Sequence, residues 1–74
     1  MNFDNSTLEL RAERAQKLVL GLQSAGRTPV EIADALGNRI SARTLYRWAK
    51  GEHGPQRKSD LAALESLAAE WMAA

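Results

Sequence analysis

Between Thr28 and Gly51 the chain carries two sets of helix start and stop signals only a few residues apart. Thr28, Pro29 and Glu31 predict one start: a capping hydroxyl, a proline at the first helical position where its missing amide is harmless, and a glutamate that completes a capping box. Gly37 predicts the stop, because it tolerates the positive φ that a turn requires. Ser41 predicts a second cap, and Ile40 before it pairs with Leu45 four residues after it as a hydrophobic staple that fixes how the chain enters the helix. Gly51 closes that second helix. Two short helices joined by a turn, the first bracing the second, form a helix-turn-helix layout.

Two further helices flank this unit. Ser6-Thr7-Leu8-Glu9 reads as a capping box with Ser6 as the cap. Leu8, Ala12, Ala15, Leu18, Val19 and Leu22 then recur at helical spacing as the buried stripe, with Glu9, Arg11, Glu13, Arg14 and Lys17 mostly off it. Gly26 ends this helix. After a polar loop at residues 51–58, a last helix is expected from about Ser59 to Met72 on Leu61, Leu64, Leu67, Ala68 and Trp71, with Pro55 as an alternative first position. There is no strand signal and no repeat. The expectation is an all-α, compact four-helix domain over residues 6–74 containing a helix-turn-helix, with residues 1–5 as a flexible N-terminus.

Several functional classes fall away on composition. The chain has 74 residues and no cysteine, so disulfides and thiolate metal sites are excluded. His53 is a single histidine without carboxylates spaced to join it on a metal; it reads as a surface residue. No apolar run approaches the roughly 20 residues that cross a bilayer, and the polar Met1-Asn2-Phe3-Asp4-Asn5 is unlike a signal peptide. A cytoplasmic protein is expected. No paired carboxylates, nucleophile set or phosphate-cradling glycine loop is present, so neither an enzyme nor a cofactor is expected.

Net charge is +1, but the distribution is uneven. Residues 1–38 sum to −1, residues 39–58 to +5 and residues 59–74 to −3. A local excess of this size on the helix-turn-helix can serve as a footprint for phosphates; a solvated charged face is the plainer reading. With Ile40, Leu45 and Trp48 turned inward and Ala33 at the helix crossing, Ser41, Ala42, Arg43, Thr44, Arg47 and Lys50 are left facing out. Arg43 and Arg47 are one turn apart on a shared face. A guanidinium can bond both acceptors on guanine. Ser41, Thr44 and Lys50 suit phosphates, as do the amides of the helix starts near Pro29 and Ala42, and Arg39 extends toward the backbone. Arg57 and Lys58 precede a helix N-terminus, where the dipole disfavours cations; phosphate contact or solubility would each explain them. Trp48 reads as core rather than as a stacking platform.

The segments Glu31-Ile-Ala-Asp-Ala-Leu-Gly37 and Ile40-Ser-Ala-Arg-Thr-Leu-Tyr-Arg-Trp-Ala-Lys-Gly51 resemble the lambda-repressor-like (Cro/XRE-type) family of DNA-binding domains. The likeness extends over roughly residues 8–70 through the Gly54-Pro55 loop and the leucine-rich last helix. The resemblance implies base contacts from Ala42, Arg43 and Arg47, with Tyr46 at the flank as a reader, a phosphate contact or a half-buried spacer. In one respect the chain departs from the family pattern. Asn38 and Arg39 stand between Gly37 and Ile40, so the turn is two residues longer and the family's docking pose does not transfer directly.

These readings lead to a sequence-specific regulator of double-stranded DNA: a small homodimeric autorepressor of phage or mobile-element type on a palindromic operator, with no ligand-sensing domain. One recognition helix reads only a few base pairs, so a duplicated site is expected. The second copy is expected on the last helix, through Leu64, Leu67, Ala68, Trp71 and Met72. Their apolar groups span more than one stripe, and the neighbours Trp71 and Met72 point about 100° apart. Two other classes stay open: a DNA-targeting accessory of terminase or transposition type, and an antitoxin-like or inhibitor-like module that binds protein.

Overall fold

The computed structural model describes residues 7–72. Four helices are present among them: α1 (Leu8–Ser24), α2 (Pro29–Ala35), α3 (Ala42–Lys50) and α4 (Lys58–Met72). No strand occurs among the described residues. The expected compact, all-α four-helix domain is what the chain forms. The long α1 packs against both α3 and α4, while α2 packs against α3.

The cap of α1 is Thr7, not Ser6, because the Thr7 hydroxyl accepts from the Leu10 amide at 3.1 Å. Ser6 lies outside the described residues, as does the 1–5 segment. Capping by Thr7 places Glu9 at the second helical position, where it cannot close the expected box. At the other end, Gly26 takes φ +92°. Its amide donates to Gln23 O and that of Arg27 to Leu22 O, a Schellman stop.

The box at Thr28 is complete: Glu31 N–H donates to the Thr28 hydroxyl at 3.2 Å, and Thr28 N–H donates to Glu31 Oε1 at 3.1 Å. Helix α2 also ends in a Schellman stop, with Gly37 N–H donating to Asp34 O and Asn38 N–H to Ala33 O. Gly37 and Asn38 are consecutive left-handed residues, at φ +71° and +60°, and asparagine is among the few non-glycine residues that adopt this region readily. That pair turns the chain so that Ile40 is buried at the head of α3.

Ala15, Val19 and Leu22 of α1 meet Ile32 and Ala33 of α2, Ile40, Leu45 and Trp48, and Leu61, Leu64, Leu67 and Ala68 of α4 in one core. Trp48 is buried, as expected. Leu8 departs from its assignment: it is 55% exposed. Arg11 takes the inward place instead, 7% exposed. Its Nε donates to the Pro55 carbonyl at 2.9 Å and its Nη2 to the Gln56 carbonyl at 3.4 Å. Pro55 is therefore part of a buried strap rather than a helical start, and α4 begins at Lys58.

Candidate nucleic-acid interface

Helix α3 has an apolar inner side and no acidic residue. At 100° per residue, Arg43, Tyr46, Arg47 and Lys50 fall within an arc of about 100° opposite Leu45 and Trp48. All four are exposed. Tyr46 is 57% exposed, and Lys50 Nζ stands 5.2 Å from its ring centroid, so the half-buried alternative for Tyr46 is set aside. Ala42 sits at the edge of this face. It packs against the core and lines a groove toward α2 with Val30, Asp34 and Asn38.

The other cations of the chain are engaged differently. Arg14 reaches Glu65 at 3.0 Å, Lys17 reaches Glu13 at 3.5 Å, Arg27 reaches Glu31 at 3.5 Å, and Arg39 reaches Asp60 at 3.9 Å. Among the described residues, no carboxylate lies within ion-pair distance of Arg43, Arg47, Lys50, Arg57 or Lys58. Among the described residues, the cations without a carboxylate partner thus gather on the outward face of α3 and at the head of α4. Mutual repulsion there costs stability unless an anion relieves it.

The cap of α3 uses two of the proposed phosphate contacts internally. The Ser41 hydroxyl accepts from Thr44 N–H at 3.1 Å and donates to Thr44 Oγ1 at 2.9 Å. These groups start the helix. Thr44 is half-buried and lines a groove of about 340 Å³ between α3 and the head of α4, together with Arg47, His53, Gln56, Arg57 and Asp60. Arg57 and Lys58 are exposed beside it, and the Arg57 carbonyl accepts the first amide bonds of α4, from Asp60 and Leu61.

Gln16, to which the sequence points no role, and Gly54 of the Gly54-Pro55 loop hold this face in place. Gln16 Nε2 on α1 donates to the Ala49 carbonyl of α3 at 3.2 Å. Gly54 brings the loop against α1 so closely that a Cβ there would lie 2.4 Å from Ala12 Cα. Arg11 could have been found from spacing, being one turn before Ala15 on the buried stripe. Gln16 carries no comparable signal, because a glutamine at the edge of an amphipathic stripe is equally at home in water.

The expected second-copy surface on α4 needs correction. Leu64, Leu67 and Ala68 are buried in the domain's own core and present no side chain to a partner. Four helices around one core need more of α4 than a single stripe. Trp71 is half-buried, with the Arg27 guanidinium 4.5 Å from its ring centroid. Met72 alone of the five is exposed, at 47%.

No family model, curated protein or solved structure matches the chain. No group of three or more metal-ligating side chains occurs among the described residues, and no helix there is long and apolar enough to cross a membrane.

Proposed function

We propose that the chain is a sequence-specific binder of double-stranded DNA that acts as a small transcriptional regulator, with α3 as the helix that enters the major groove. The observation that carries this reading is the segregation of charge. Among the described residues, every cation on the outward side of α3 is without a carboxylate partner, while Arg14, Lys17, Arg27 and Arg39 each have one. A major groove admits a helix of this size, and its walls are phosphates. Arg43, near the middle of the outward arc, is the side chain placed to read a base edge. Lys50, Arg57 and Lys58 meet the backbone.

Two copies on a palindromic operator supply the discrimination that one short helix lacks. Autoregulation in a phage or mobile-element setting fits a domain of this size. Selection of duplexes from a random pool by the purified chain tests the proposal. Recovery of an inverted repeat supports it; recovery of unrelated sequences with equal affinity removes sequence-specific regulation. Absence of any DNA binding would turn the exposed face toward a protein partner instead.

A further inference from the structure

The two flanks of α3 differ in chemistry. Toward α2 the groove has Val30, Ala33 and Ala42 in its lining, with Glu31 and Asp34 beside them and no cation. Toward α4 the groove holds Thr44, Arg47, His53, Gln56 and Arg57, with Asp60 as its one carboxylate. Neither arginine has an ion-pair partner among the described residues, and Asp60 lies 3.9 Å from Arg39. Helical geometry turns Arg47 toward this flank. It sits about 40° from Arg43 around α3, on the side of Thr44.

We infer that the groove between α3 and the head of α4 seats one phosphodiester of the DNA backbone between Arg47 and Arg57. Asp60 limits how tightly it is held. The inference rests on the DNA-binding reading and adds a direction to it: the backbone runs along the α4 flank of α3, away from the acidic α2 flank. Two guanidinium groups, a hydroxyl and a carboxamide offer donors to the unesterified oxygens, and a guanidinium pairs with a phosphate through two parallel N–H bonds. Asp60 faces the same volume, so its negative charge opposes the phosphate, while its pairing with Arg39 draws part of that charge aside. Arg47 is thereby assigned to the backbone, and Arg43 remains the guanidinium of α3 that reads a base.

The test measures affinity over a series of salt concentrations. It uses a duplex selected by the wild-type chain and an unrelated duplex of the same length. Arg47→Ala and Arg57→Ala should each weaken both duplexes by the same factor and reduce the slope of log affinity against log salt by about 1, leaving the ratio of the two affinities as in the wild type. Asp60→Asn should strengthen both alike. Lys17→Ala, a charge loss on α1 outside the groove, should change the slope by less than either arginine variant. Circular dichroism reports the fold, and Arg47→Gln and Arg57→Gln repeat the measurement where an alanine variant loses helix. A fall in the affinity ratio with Arg47→Ala would return Arg47 to the bases and overturn the inference. So would an unchanged slope with Arg57→Ala, or weaker binding with Asp60→Asn. A wild-type chain that binds neither duplex would instead sink the DNA-binding reading itself.

Discussion

Arg11 Nε donates to the carbonyl oxygen of Pro55 across 2.9 Å, joining the first turns of α1 to a loop 44 residues further along the chain. The contact is buried, and it ties to α1 the loop whose Gly54 and Gln56 line the groove between α3 and α4.

Arg11→Ala should destabilise the domain by about 1.5–3 kcal/mol, the range for a hydrogen bond to a charged group. It also leaves the Pro55 carbonyl with one partner fewer in a buried place. Urea unfolding followed by helical circular dichroism measures the loss. An unchanged midpoint would show that the strap contributes nothing.

Gly54→Ala tests the same junction from the other side. The new Cβ would meet the backbone of α1 at Ala12, which cannot rotate away as a side chain could. The expected cost is about 1–3 kcal/mol, the range for overpacking. Together the two variants separate a loop held by contact from one that merely lies near.

Trp48→Ala empties the largest side chain in the core of α3 and should cost roughly 3–5 kcal/mol. A domain of this length has little stability beyond that, so thermal unfolding should show loss of a cooperative transition. Retention of the wild-type transition would contradict the burial of Trp48.

The starts and stops around α2 and α3 were legible because capping is local chemistry. Thr28, Glu31, Ser41 and Gly51 act on amides and carbonyls within a few residues of themselves. The head of α1 is the local exception: Ser6 and Thr7 are both capping types, and the Leu10 amide goes to Thr7. Long-range assignments are less legible. Leu64, Leu67 and Ala68 looked surplus to one core because the sequence does not show that α1, α3 and α4 share it. The outward cations were readable from the burial pattern of α3 alone, whereas the pairing of Arg39 with Asp60 required the folded chain.

Arg43→Ala should weaken the selected duplex by about 1–3 kcal/mol, while binding to an unrelated duplex falls much less. Lys50→Ala should lower both equally and reduce the salt slope by about 1. Titrations of the two variants side by side distinguish reading from holding. Identical behaviour on both duplexes would displace Arg43 from the bases.

Sedimentation of the chain on its selected duplex should show two chains at saturation. The free chain's own association is then a separate measurement, since two copies can meet on adjacent half-sites. Saturation by one chain would remove the palindrome.

Gln16 holds the Ala49 carbonyl from α1, and Gly51 leaves room for it, since a Cβ there would lie 3.0 Å from Gln16 Nε2. The far end of α3 is thus clamped by a helix that takes no part in the proposed contact with DNA. In the proposed complex the Gln16 bond, with the core packing of Leu45 and Trp48, would oppose independent rolling or sliding of α3. Little conformational freedom is then left to lose on docking. On the proposed function, misfit at one base step would be felt along the full length of α3, and a mismatched operator would be rejected by geometry as well as by chemistry.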